Sequence, residues 1–282
     1  MISANGLRFG TLEAGSPDAP LVLCLHGFPD SAWTWRHLLP ALAEHGYRGV
    51  APFMRGYAPS EAPADGSYAV PMLGQDACAL HEALEADERA ALIGHDWGAA
   101  ATYAAIGLEP ERWRRYVTAA VPPTGHLALD LISWQQMRRS WYSYLFQLPV
   151  AEEVVAADGM AFVDRLWADW SPGYDTAADL AYAKAALATP ERLHAAIRYY
   201  RDTPTELRAP GPSAALPEGM PFLYLHGEND GCIGIDVLDR AAPFFPNGAE
   251  LELVPGAGHF VHLERPDRFN ARVLRFLDGA CA

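Results

Sequence analysis

Ala90-Ala91-Leu92-Ile93-Gly94-His95-Asp96-Trp97-Gly98-Ala99-Ala100-Ala101-Thr102-Tyr103-Ala104-Ala105 is the stretch on which the fold turns. Its four leading apolar residues read as a buried strand, and the Ala-rich run after Gly98 reads as a helix. Gly94 and Gly98 bracket a tight turn between them. Such a turn strains its central residue and brings strand and helix backbones together at a distance that a Cβ would obstruct. Strand, glycine-bounded turn and helix have the layout of a nucleophile elbow. Serine esterases carry Ser at its centre; here the residue is Asp96. An aspartate, with an ordinary pKa of about 3.9, is ionised at neutral pH and needs no base before it attacks. A carboxylate attacking a saturated carbon leaves an alkyl–enzyme ester, which water must then cleave with the help of a base.

The same alternation extends outward from the elbow. Leu21-Val22-Leu23-Cys24-Leu25 is a short apolar run ending in His26-Gly27-Phe28-Pro29-Asp30, and a helical pattern follows through Trp33, Leu38, Leu39 and Leu42. Tyr47-Arg48-Gly49-Val50-Ala51 reads as the next strand, 72–84 as a helix and Tyr116-Val117-Thr118-Ala119-Ala120-Val121 as a further strand. Repeated βα units predict a mostly parallel sheet flanked by helices. From about Thr124 to Pro217 the rhythm breaks. No buried strand is expected there, only aromatic-rich helices such as 134–146 and 190–200, closed by Ala209-Pro210-Gly211-Pro212-Ser213. The alternation resumes with Phe222-Leu223-Tyr224-Leu225-His226-Gly227 and Glu250-Leu251-Glu252-Leu253-Val254, and a helix over 266–277 ends it. The expected organisation is therefore a core of 1–123 and 218–282 with an inserted helical cap of 124–217.

With 282 residues, half of them hydrophobic, the chain is long enough for such a core. A formal net charge of −14 argues against nucleic acid and anionic membranes as partners. The start carries no apolar secretory stretch and no run reaches transmembrane length. Cys24, Cys78, Cys232 and Cys281 show no metal-binding spacing and read as thiols of a reducing compartment, so a cytoplasmic location is expected.

A base for ester cleavage lies late in the chain at Gly256-Ala257-Gly258-His259-Phe260, directly after the strand ending at Val254. Glu228-Asn229-Asp230-Gly231, after the strand ending at Leu225, offers an acid to orient it. Asp96, Asp230 and His259 follow the nucleophile–acid–base order of the α/β-hydrolase fold, with Asp in place of Ser. Glu228 is a rival acid, and Asp230 could be a turn residue. Val121-Pro122-Pro123-Thr124, another place where that fold can carry its acid, holds no carboxylate.

His26-Gly27-Phe28-Pro29, Arg55-Gly56-Tyr57-Ala58-Pro59-Ser60, Gly94-His95-Asp96-Trp97-Gly98, Asp230 and Gly258-His259 together resemble the epoxide hydrolases of the α/β-hydrolase superfamily, over nearly the whole chain. The resemblance implies a backbone oxyanion hole made by the N–H groups of Phe28 and Trp97, donors aimed where negative charge develops. It also implies two cap tyrosines facing the nucleophile, because an alkoxide cannot depart without a proton and a phenol can supply one at neutral pH. Ser140-Trp141-Tyr142-Ser143-Tyr144-Leu145-Phe146-Gln147 and Ile197-Arg198-Tyr199-Tyr200-Arg201 hold the candidates. Beside the Phe-Gln pair, Tyr142 matches the family position better than Tyr144; the Tyr-Arg pair favours Tyr200 over Tyr199. Phe28, Trp97 and Trp141 are expected to line a pocket for a small apolar epoxide, with water as the second substrate.

Duller readings compete. Asp96 could cap the helix after it, and the tyrosines could simply pack. His259 and His262 form an HxxH spacing beside His95-Asp96, but zinc sites need three or four converging ligands and none completes the set, so neither metal nor cofactor is expected. His26 is read as a support of the turn beneath the oxyanion hole. The rival activity is haloalkane dehalogenation, which uses the same nucleophile and relay but N–H donors for a halide. Phe28 stands where those enzymes commonly carry Asn, although Trp134, Trp141, Trp167 and Trp170 offer cap donors. Arg commonly follows the nucleophile in fluoroacetate dehalogenases, where this chain has Trp97. A non-catalytic binding protein on the same fold is the remaining alternative.

Overall fold

The structure, a computed structural model, describes residues 1–123, 133–207 and 216–279. In chain order its strands are β1 (Ile2–Ala4), β2 (Leu7–Phe9), β3 (Thr11–Ala14), β4 (Leu21–Leu25), β5 (Arg48–Pro52), β6 (Ala91–His95), β7 (Arg115–Ala119), β8 (Phe222–Gly227) and β9 (Glu250–Val254). The helices are α1 (Leu38–Glu44), α2 (Val70–Ala83), α3 (Trp97–Leu108), α4 (Trp134–Arg139), α5 (Trp141–Leu145), α6 (Ala151–Trp170), α7 (Ala177–Ala186), α8 (Pro190–Leu207), α9 (Leu238–Ala241), α10 (Val261–Glu264) and α11 (Pro266–Leu277).

Seven strands form one sheet in the order β3-β5-β4-β6-β7-β8-β9. Only β3 runs antiparallel to its neighbour, and the rest are parallel. The α/β-hydrolase architecture expected from the sequence is therefore present. Strands β4, β6 and β8 are buried at every residue, as strands covered by helices on both faces must be, which is why they read as unbroken apolar runs. Chain order reverses between β4 and β6: β5 lies on one side of β4 and β6 on the other. In open α/β sheets the carboxyl ends of the strands at such a reversal border a crevice where ligands bind. Residues 26–30 leave β4 there, and Asp96 leaves β6.

Between β7 and β8 the described residues hold helices and no strand. The expected helix over 134–146 is two helices, α4 and α5, meeting at Ser140. Within α6 the backbone breaks at 157–160, where Asp158, Gly159 and Met160 take left-handed conformations. This helical stretch lies on the sheet through specific bonds: the Trp167 indole donates to the Pro29 carbonyl at 2.9 Å and the Tyr199 hydroxyl to the Arg55 carbonyl at 2.8 Å. Arg55 itself is anchored by a buried bidentate pair with Asp76, both bonds at 2.6 Å. The expected boundaries of this stretch at 124 and 217 and the Pro/Gly segment at 209–213 fall on or beside residues outside those described, as does Cys281. Among the described residues no helix is long and apolar enough to cross a membrane.

Candidate active site

The elbow closes as the glycines require. A Cβ on Gly94 would run into the Gly98 carbonyl, and one on Gly98 into the Leu25 carbonyl. Asp96 sits between them at φ 54°, ψ −118°, a conformation costing a non-glycine residue on the order of 1–3 kcal/mol. Its side chain makes no capping bond to α3. Instead Oδ1 accepts the Phe28 N–H at 2.8 Å, so the carboxylate is turned back over the end of β4. Gly27 permits this approach, since a Cβ there would collide with the Asp96 side chain. Trp97, whose amide was expected to join that of Phe28, opens α3 as its first residue. His26 lies beneath. The Met54 N–H donates to its Nε2 at 3.0 Å, which leaves Nδ1–H to donate to the Gly27 carbonyl at 2.9 Å. That ring supports the turn.

On the other side of the carboxylate, His259 Nε2 lies 3.6 Å from Asp96 Oδ2, and His259 Nδ1 lies 3.0 Å from Asp230 Oδ2. The second Asp230 oxygen accepts the backbone N–H groups of Cys232 and Ile233 at 2.7 and 2.8 Å, which fixes the carboxylate. Glu228, the rival acid, is exposed and accepts from the Gly256 N–H. Burial alone would push the His259 imidazole down, but the charges of Asp230 and Asp96 outweigh it and hold the imidazole up at about 10. Asp230 shows the reverse balance: burial works to raise it, and His259 holds it below the usual carboxylate range.

Of the two tyrosine pairs, the structure buries Tyr142 and leaves Tyr144 43% exposed. It directs Tyr199 to the Arg55 carbonyl and Tyr200 toward Trp97, with ring centroids 4.9 Å apart. Tyr142 and Tyr200 meet edge-on at 5.7 Å, and Phe28 stands 5.4 Å from Tyr200. Burial first, and the Asp96 charge second, push the Tyr200 phenol well above its ordinary value, so it keeps its proton at neutral pH. Phe28, Trp97 and Tyr200 thus share one aromatic cluster. Trp141 does not join it: nearly half exposed, its ring neighbours are Tyr142 and Phe162. With Gln135, Arg138, Arg139, Asp169, Trp170 and Gly231 it lines a surface cleft of about 330 Å³.

Sequence reasoning gave Phe146 and Cys232 no place in this site, and named Trp170 only as a possible cap donor. Phe146 packs against Phe28, Tyr142 and Tyr200; its spacing of four from Tyr142 on a helix was the available signal. Trp170 stands edge-on to His259 at 5.1 Å, and its carbonyl accepts the His259 N–H at 3.0 Å. Cys232, read only as a thiol, lies with its sulfur 3.3 Å from the Tyr142 hydroxyl.

Two groups of metal-ligating side chains converge among the described residues. In each, the ligand atoms lie within 4.8 Å of one another: Asp96, Cys232 and His259 in the site itself, and Asp30, His95 and His262 beside it. In the second group burial pushes the Asp30 carboxyl up to about 8 and the imidazoles of His95 and His262 down, His95 to about 3.

Comparison with known proteins places this geometry. Residues 20–266 match the profile of the alpha/beta hydrolase fold. Epoxide hydrolase A of Mycobacterium tuberculosis is 29% identical over 99% of this chain and 97% of its own length. The Bacillus megaterium epoxide hydrolase crystallised with an inhibitor superposes with a TM-score of 0.85 at 26% identity, over 98% of this chain and 99% of that one. Epoxide Hydrolase A of Mycobacterium thermoresistibile gives 0.84 at 29% identity, over 99% and 97%. The likeness to epoxide hydrolases carried by the motifs therefore extends over the full fold. By the match over 20–266, the chain belongs to the alpha/beta hydrolase fold family.

Proposed function

We propose that this enzyme hydrolyses an epoxide to a vicinal diol through an ester on Asp96. The observation that carries the reading is the placement of Asp96 between two kinds of proton chemistry. His259 and Asp230 stand beside it, and the buried Tyr200 ring packs on Trp97 and Phe28, the residues whose backbone adjoins the Asp96 carboxylate. Asp96 attacks one epoxide carbon, the C–O bond breaks, and Tyr142 and Tyr200 hydrogen-bond or protonate the departing oxygen. Ester formation removes the Asp96 charge. It thereby removes one of the two charges holding the proton on His259; that proton restores the phenol that protonated the departing oxygen, and the neutral imidazole is then available as a base. His259, oriented by Asp230, takes a proton from water, which attacks the ester carbonyl. The Phe28 and Trp97 amides receive the developing oxyanion; collapse of the tetrahedral intermediate expels the diol oxygen, which takes the proton of the new carboxyl group, so the diol leaves and the carboxylate and the protonated His259 of the resting enzyme are restored. Phe28, Trp97 and Tyr200 form an apolar wall that suits a small apolar epoxide. The helical stretch between β7 and β8 serves as the cap that brings both tyrosines.

Two observations weigh against a halide as leaving group. The Trp167 indole is committed to the Pro29 carbonyl, and Trp134 and Trp141 are exposed; Trp170, the remaining candidate donor, is buried edge-on to His259, so halide release has to be measured. The decisive experiment is His259→Gln with a simple aryl epoxide, followed by intact-mass measurement. The expected result is substrate mass retained on the Asp96 peptide, with diol formed by the wild type. Neither adduct nor diol across a panel of epoxides refutes the proposal, and halide release from haloalkanes replaces it with dehalogenation.

A further inference from the structure

The HxxH spacing and His95 fail as a metal motif in the sequence for want of a third ligand, and the fold supplies one. Asp30, in the loop after β4, His95, at the end of β6, and His262, on α10, are all buried and offer ligand atoms within 4.8 Å of one another. Each of the three also has one buried side-chain atom with no hydrogen-bond partner among the described residues: Asp30 Oδ2, His95 Nδ1 and His262 Nδ1. Their other atoms are engaged, and in His95 the engagement fixes what the remaining one can do. His95 Nε2 lies 3.0 Å from the His259 carbonyl, which can only accept, so in the neutral ring Nε2 bears the hydrogen and Nδ1 is a bare lone pair. The Thr34 hydroxyl meets His262 Nε2. Asp30 Oδ1 accepts the Ser31 N–H at 2.7 Å.

His95 Nδ1 is thus a bare acceptor, and Asp30 Oδ2 and His262 Nδ1 are buried without a hydrogen-bond partner among the described residues. A cation satisfies all three. We propose that Asp30, His95 and His262 bind one divalent transition-metal ion of the zinc class, at a site distinct from the Asp96 carboxylate.

The chemistry of the set selects the ion. Two imidazole nitrogens and one carboxylate oxygen suit zinc, cobalt or nickel, whereas magnesium and calcium take oxygen ligands. The ring centroids of His95 and His262 are 4.5 Å apart, close enough for both nitrogens to approach one ion at about 2.0–2.1 Å. Each ligand ring also has the outer partner that metal-bound histidines use for orientation, a backbone carbonyl for His95 and a hydroxyl for His262. Trp35 stacks on His262 at 4.7 Å and holds its plane. Through His95 Nε2–H the ion would also steady the backbone carbonyl of His259.

The test uses tag-free, full-length protein stripped with a chelator and titrated with Co²⁺, both in the native state and during refolding from urea, because the ligand atoms are buried. About one equivalent of bound cobalt with visible d–d absorption, together with a raised Tm, is expected. His262→Gln and Asp30→Asn, each checked for folding by circular dichroism, should lose that spectrum, and Cys232→Ser should keep it. Wild-type protein that binds no stoichiometric cobalt in either format overturns the proposal. So does a spectrum that survives His262→Gln and Asp30→Asn but vanishes in Cys232→Ser, since the ion would then sit on Asp96, Cys232 and His259.

Discussion

Tyr199 and Tyr200 are adjacent in the chain, yet they serve different ends of the molecule. The Tyr199 hydroxyl donates to the Arg55 carbonyl at 2.8 Å, while the Tyr200 ring stands edge-on to Trp97 at 4.9 Å. One tyrosine fastens the helical stretch to the sheet, and the other packs on the residue next to Asp96. Tyr142→Phe and Tyr200→Phe combined should therefore lower kcat for epoxide opening by about 10²–10⁴-fold, the usual range for general acid catalysis, and each alone by less. Tyr199→Phe should leave kcat nearly intact and lower stability by about 1 kcal/mol, the net value of one hydrogen bond. Steady-state kinetics and urea unfolding separate the two outcomes. A double variant with wild-type kcat would remove the tyrosines from the mechanism.

His259 should carry its proton in the resting enzyme and give it up once Asp96 is neutralised. Asp96→Asn imitates that neutralisation, and the imidazole value, held at about 10 in the wild type, should fall by about 1–3 pH units. Imidazole NMR signals followed against pH measure it; an unchanged titration would show that Asp96 has no hold on the base.

The same raised value has a consequence for stability. A histidine whose folded value exceeds its unfolded one binds more protons when folded. Its contribution is complete below about pH 6.5 and is lost as pH rises through about 10. Tm should therefore decline from pH 7 to pH 10 in the wild type and decline less in His259→Gln. Scanning calorimetry across that window checks it, and equal slopes in the two proteins would contradict it.

Gly27→Ala should damage chemistry more than folding. The added methyl meets the Asp96 side chain, which must swing away from the Phe28 amide. A misplacement of about 1 Å at a reacting group costs on the order of 10²-fold in rate. The expected pattern is a large fall in kcat at a modest change in Tm, read by kinetics and calorimetry together.

Asp76→Asn should be the costliest of these changes for the fold. It would leave the Arg55 guanidinium buried with half of a bidentate partner. Breaking one side of a buried pair costs about 3–5 kcal/mol. Urea unfolding of Asp76→Asn against wild type gives the figure, and a loss below 1 kcal/mol would mean that water or a rearranged neighbour replaces the carboxylate.

The elbow and the central strands were legible because their signals are local. Two glycines at fixed spacing around Asp96 and apolar runs such as Leu21–Leu25 carry their meaning within a few residues. The short strands β1 to β3 went unread, since three or four half-exposed residues show little pattern. Trp141 was placed beside Phe28 and Trp97, but successive helical residues point about 100° apart, and it is Tyr142 that turns inward on the five residues of α5. No periodicity could phase so short a helix. Asp30 left no spacing that ties it to His95 and His262, because the fold brings together residues that are far apart in sequence.

Every group assigned to ester cleavage sits at the end of a strand, Asp96 after β6, Asp230 after β8 and His259 after β9, whereas the groups assigned to the leaving oxygen ride on helices α5 and α8. The two halves of the chemistry therefore occupy separate stretches of chain that could be exchanged independently. A helical stretch bearing N–H donors in place of phenols, grafted between β7 and β8, would redirect the same carboxylate toward a different bond and leave the machinery that regenerates it untouched.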